Sequence, residues 1–184
     1  DSSNNFRSEL WYLTAPAQGS ADISVNFTAA GRTVAGASNF FGVDQNTPFG
    51  TLVTAQGSGS NAAVNVTSGA GQRVFASVVA QGWATTLTDG AGQTAHWTAY
   101  NGFIYGDLLT RGSTETGAAS VTMSWTLGVA EDWVAAGVSL RAASVNPVAA
   151  AITANGSEDT LLAVDLNGSG GSGGGGVSPG RGDG

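Results

Sequence analysis

Apolar and polar residues alternate with a period of two along much of this chain, and that alternation constrains its fold more than any other feature does. In an extended strand successive side chains point to opposite faces, so such a pattern buries one face and leaves the other in water. The clearest runs are Glu9 to Leu13; Ile23, Val25 and Phe27; and Val74, Ala76 and Val78, with Phe75 and Val79 on the opposite face. Later runs are Val121, Met123, Trp125 and Leu127, then Val134, Ala136, Val138 and Leu140. Helical periodicity is almost absent, so the chain is expected to be all-β and antiparallel.

Turn-forming clusters at Ala17 to Ser20, Gly57 to Asn61, Ser68 to Gly71, Asp89 to Gly92 and Arg111 to Gly117 punctuate these runs. Their spacing suits about nine or ten short strands before residue 144, arranged as a jelly-roll-like antiparallel β-sandwich. Composition shifts at Ser144 to Pro147. Three regions result: residues 1–144 as the sandwich, 145–167 as a strand-like extension, and 168–184 as a flexible Gly/Ser-rich tail with nothing to bury. Within the extension Leu162, Val164 and Leu166 alternate.

Charge narrows the functions available. The chain has no Lys, six Arg and thirteen carboxylates, for a net charge of −7. A nucleic-acid site needs clustered cations to displace counterions, so no nucleic-acid partner is expected. No run of eighteen apolar residues is present, so no segment is expected to cross a bilayer as a helix. With no Cys, stability must come from burial or from neighbouring subunits rather than disulfides. Scarce charge and absent Cys beside abundant Gly, Ala, Ser, Thr and Asn read as a prokaryotic extracellular or cell-surface protein. The start at Asp1 reads as a processed mature chain or a piece of a longer precursor.

The segments "ELWYLTAPAQGSADISVNF", "VAGASNFFGVDQNTPFGT", "VTSGAGQRVFASVV" and "WVAAGVSLRAAS" together resemble a jelly-roll-like β-sandwich module of large bacterial extracellular and surface-layer proteins. In the second of them, Val34 to Phe41 reads as a strand leaving its sheet into a Pro-bounded loop. The resemblance spans Leu10 to Leu140 and implies a structural or adhesive unit with no catalytic residues and no cofactor. It also implies one or two further strands ahead of Glu9, which this sequence lacks. A sandwich short of a strand exposes unpaired backbone groups and an open apolar slot, so something is expected to fill it.

The strand-like piece Leu161, Leu162, Val164 and Leu166, tethered by flexible residues, is a candidate to fill that slot in its own domain or in a neighbouring copy, and a head-to-tail donation that does not close builds an open filament. The interface residues expected on the receiving side are Glu9, Leu10, Trp11, Tyr12 and Leu13. The partner is then the chain itself, as a homopolymer. In the competing reading, residues 145–166 open the next module of a long adhesin.

Catalysis finds little support. The single His96 lies beside Trp97 in an alternating run, and no Gly-X-Ser-X-Gly elbow accompanies it. Glu131 and Asp132 are adjacent, so a strand would point them to opposite faces; Asp22, Asp44, Asp89 and Asp107 are isolated, mostly near turns. No metal site is expected, the nearest Ca candidates being Asp44 and Asp165. Asn26, Asn65, Asn155 and Asn167 each open an Asn-X-Ser/Thr acceptor for glycosylation. Trp83, Tyr100 and Tyr105 flank turn residues and would serve a carbohydrate-binding or adhesion module, the alternative function, with glycans as partners. Arg181-Gly182-Asp183 spells an integrin-type tripeptide that coincidence explains in a Gly-rich tail.

Overall fold

The computed structural model describes residues 6–28, 31–102 and 107–144. The chain divides into two units, Asp1–Ala143 and Ser144–Gly184, and the architecture below is that of the first. Six strands are present among the described residues: β1 (Val53–Thr67), β2 (Arg73–Gly82), β3 (Leu87–Asp89), β4 (Thr94–Asn101), β5 (Asp107–Thr116) and β6 (Ser120–Leu140). They form one antiparallel sheet in the order β1-β6-β2-β5-β4, with β3 paired to β6. All of this is β-structure, as the period-two pattern dictates.

The longest strand organises the rest. Val121 to Leu127 and Val134 to Leu140, which the sequence presents as two strands, are the two ends of the 21-residue β6. The intervening Gly128-Val129-Ala130 carries too little turn chemistry to reverse the chain. Gly57 to Asn61, expected as a turn, lies inside β1, where the pairing with β6 shifts register between Gly59 and Asn61. Gly59 sits there at φ 136°, a backbone that a side chain rarely tolerates. Between the Gly59 and Asn61 pairs β1 has one residue, Ser60, and β6 has four, Leu127 to Ala130, and such a mismatch bends the ribbon instead of ending it. Likewise Arg111 to Gly117 does not turn early: β5 runs on to Thr116.

The bend folds the β1–β6 ribbon back over the sheet. At one end of the ribbon Val53 pairs with Gly137, yet the side chains of Val64 and Val66, from the far end, lie over that same Gly137. A Cβ at Gly137 would come within 2.7 Å of Val66 Cγ2 and 3.4 Å of Val64 Cγ1. The space enclosed holds the main core: Ala62, Val64 and Val66 of β1; Val121, Met123, Trp125 and Leu127 of β6; and Val74, Ala76, Val78 and Ala80 of β2. Each set is one parity of its strand, which is the alternation read from sequence.

The opposite face of β2, β5 and the C-terminal half of β6 is covered by irregular chain. Phe6 packs with Val79, Leu108 and Val134, with Val34 against them. The Phe40 ring stands 5.7 Å from Phe75, and Trp97 Nε1 donates to Ser38 Oγ at 3.2 Å. No strand is assigned from residue 6 to residue 52 among those described, apart from two isolated bridges, Val43 to Ala142 and Phe49 to Leu140. Glu9 to Leu13, Ile23 to Phe27 and Val34 to Phe41 therefore do not form the strands their alternation predicts: a strand needs a hydrogen-bonding neighbour as well as a pattern, and none reaches them.

Candidate functional site

Exposed large apolar side chains concentrate in this N-terminal stretch. Trp11 is 87%, Leu13 77%, Ile23 75% and Phe41 89% exposed, and Tyr12, Val25, Phe27 and Leu52 are exposed with them. Scattered apolar residues on a surface need no explanation, but a run that keeps strand alternation and hides neither face does.

Local contacts fix parts of the stretch without burying it. Tyr12 meets Phe49 edge-on at 4.6 Å, Trp11 Nε1 donates to Glu9 Oε2 at 3.0 Å, and Arg7 pairs with Glu9 at 3.0 Å. Ala15 holds φ 45° while its N–H donates to Gln45 Oε1 at 2.7 Å. Leu10 is half-buried. Of the anticipated interface, Glu9 to Leu13 thus lies on the surface as irregular chain, and Leu161, Leu162, Val164 and Leu166 lie outside the described residues. Sequence reading placed Phe41 at the end of an expected strand and did not single out Leu52, and both join the exposed apolar set.

The titratable groups serve the scaffold. Asp89 accepts from Arg111 Nε at 2.9 Å and Nη2 at 2.6 Å, and from Ser113 Oγ. Burial would raise the Asp89 carboxyl, but the Arg111 and Ser113 hydrogen bonds outweigh it and hold the group below its ordinary value. The Asp44 carboxylate accepts the N–H groups of Asn46 at 2.8 Å and Thr47 at 3.0 Å. Those two backbone bonds, Thr47 first, lower its pKa, and the arrangement is an Asx turn. Asp165, the other Ca candidate, lies outside the described residues. Among those described, no three His, Asp or Glu side chains come together as a metal site would need.

His96 Nε2 bonds Thr114 Oγ1 at 2.9 Å and its ring lies beside Phe40 and Phe75. That hydrogen bond and those two rings hold it at the surface. Glu131 and Asp132 fall in β6 and so on opposite faces, and Glu131 Oε1 accepts the Trp83 N–H at 2.7 Å.

Of the acceptor asparagines, Asn26 and Asn65 are exposed, and Thr122 Oγ1 donates to Asn65 Oδ1 at 2.6 Å across the strands; Asn155 and Asn167 lie outside the described residues. The aromatic residues divide in two. Trp125 and Trp133 are buried, whereas Trp83 is 62% and Tyr100 52% exposed. The Tyr100 hydroxyl donates to Asp107, a bond that raises its pKa. Tyr105 is outside the described residues.

No family model, curated protein or solved structure matches the chain. The functional reading therefore rests on its own residues. Among the described residues no helix is long and apolar enough to cross a membrane.

Proposed function

We propose that this chain is a structural subunit of an extracellular filament or surface array, assembled head to tail by β-strand donation. In this reading Leu161 to Leu166 of one copy seats against the N-terminal layer of the next and completes a jelly-roll-like sandwich. The observation that carries it is the exposure of Trp11, Tyr12 and Leu13 together with the alternating Ile23, Val25 and Phe27, none of which lies in a paired strand among the described residues. Main-chain hydrogen bonds to an added strand would supply affinity, and Leu162, Val164 and Leu166 would fill the slots between the exposed side chains.

The test is electron microscopy and size-exclusion chromatography of the full chain beside its Leu162→Asp/Val164→Asp variant. Filaments or a ladder of stable oligomers from the parent, and small species from the variant, are expected. A variant that polymerises like the parent sinks the donated strand.

A carbohydrate-binding or adhesion module is the second reading, favoured by the exposed rings of Trp83 and Tyr100, since aromatic faces stack on sugar rings. A monomer retained by a polysaccharide, and released when Trp83 is replaced by Ala, would select it.

A further inference from the structure

The outer edge of β1 carries an independent message. β1 terminates the sheet, pairing with β6, and its fifteen residues, VTAQGSGSNAAVNVT, include no charge and no Pro. Natural sheets blunt long edges with Lys, Pro or a covering loop because an open edge templates pairing with another chain. Among the described residues the one such device is the register shift between Gly59 and Asn61, which leaves Asn61 to Thr67 as an uncharged run.

The directions of the backbone groups in that run follow from its partner strand. Ser124 of β6 gives its carbonyl to Gly90 N at 2.8 Å and its N–H to Gln93 Oε1 at 2.7 Å, both on the side away from β1. Gly128 N likewise points away, to Thr86 O. Residues of β6 alternate in this respect, so Ala63, which faces Ser124, belongs to a non-hydrogen-bonded pair. The close Thr122 to Asn65 side-chain contact fits the same parity, because side chains approach most closely across such pairs. It follows that Asn61, Ala63, Asn65 and Thr67 aim their N–H and C=O groups outward, while Ala62, Val64 and Val66 bond β6.

We propose that this edge pairs with the same edge of a second copy, antiparallel, about a two-fold axis through Val64. That register sets Ala63 opposite Asn65 of the second copy and Asn61 opposite Thr67, satisfying all four outward residues of each chain with about eight hydrogen bonds. A shift by two residues in either direction leaves one end without a partner, because the bulge bounds the run on one side and the strand ends on the other. The opposite edge, β4, runs in the same direction as β1 across this antiparallel sheet, so pairing β1 with β4 by translation would be parallel and less stable per residue. The side chains on the open face here are small and neutral, so two copies approach without like charges meeting. The contact closes on itself and cross-links two subunits, whatever joins them head to tail.

The test uses the full chain carrying Leu162→Asp and Val164→Asp, which disables strand donation, from a host without N-glycosylation, since sugar at Asn65 would stand beside the edge. Sedimentation equilibrium is expected to show a reversible dimer that Ala63→Pro converts to monomer. Proline there removes an outward N–H and no bond to β6. Ala63→Lys, which keeps the backbone intact, is expected to weaken the dimer at least ten-fold. A monomer up to the solubility limit, or a dimer indifferent to both substitutions, overturns the proposal. The chain has no Cys, so Ala63→Cys and Thr67→Cys each accept a single nitroxide. The inter-label distance should be longer at 67 than at 63 by about 12 Å, as strand rise dictates; equal or reversed distances overturn the register. Filaments that persist in the Leu162→Asp/Val164→Asp background sink strand donation, and the label distances still decide the edge pairing.

Discussion

Asp89, at the end of β3, takes two hydrogen bonds from the Arg111 guanidinium of β5, at 2.9 and 2.6 Å on the same carboxylate oxygen. The pair ties the short strand that flanks the folded-back ribbon to the sheet beneath it. Arg111 Nη1 continues to Thr98 Oγ1 at 2.7 Å, and Trp125 Nε1 reaches Ser113 Oγ at 3.3 Å, so the network joins four strands.

This pair sets a pH dependence. The folded Asp89 carboxyl lies below its ordinary value of 3.8, so its contribution is complete above that value and is lost as pH falls through the folded pKa. Melting temperature should therefore be level through the neutral range and drop below about pH 4. In the Asp89→Asn variant the acid drop should be shallower, and neutral stability lower by about 1–3 kcal/mol, since Arg111 and Ser113 lose a charged acceptor. Thermal scans of both proteins from pH 7 to pH 2 check it; an unchanged acid limb would show that other carboxylates govern it.

Gly137 should not tolerate Ala. The new methyl would meet Val66 Cγ2 at 2.7 Å and Ala76 Cβ at 3.2 Å, two groups fixed in the core. Overpacking of this kind costs about 1–3 kcal/mol. Urea unfolding of Gly137→Ala should show a lower midpoint with an unchanged slope.

Trp125 should be the costliest aromatic residue to lose. It is 1% exposed and belongs to the main core cluster. Replacement by Ala removes about 3–5 kcal/mol, a large part of a domain's stability, and loss of the cooperative melting transition is the expected reading. Trp83→Ala, at an exposed site, should leave that transition within about 0.5 kcal/mol of the parent.

Ile23→Ser, Val25→Ser and Phe27→Ser together separate assembly from folding. These side chains are exposed and stand apart from the core, so the melting transition of the isolated subunit should hardly move. If they receive a neighbour's strand, the triple variant should lose its oligomers in size-exclusion chromatography. Oligomers that survive would locate the receiving surface elsewhere.

What could be read in advance follows from how local each cause is. Val74, Ala76 and Val78, and Val121, Met123 and Trp125, announce one buried face through side-chain parity, a property of neighbouring residues. The turn within Asp89 to Gly92 is legible for the same reason, although it falls at Ala91-Gly92, where Gln93 N bonds Gly90 O, and not at Asp89-Gly90, where Asp89 still belongs to β3. The bulge at Gly59 is not legible, because Gly-Ser-Gly-Ser is also turn chemistry and only continued pairing with β6 on both sides makes it a bend within a strand.

The surface divides along the same line. Sequence by itself determined that the chain is β-structure and which faces of its central strands are apolar. Only tertiary structure decided that two predicted strands are one, that Val64 and Val66 close over Gly137, and that Ile23, Val25 and Phe27 stay exposed although they alternate as core strands do. Alternation is written into the order of residues, whereas burial requires a second surface, and which surface arrives depends on hydrogen-bonded neighbours far away along the chain or in another copy.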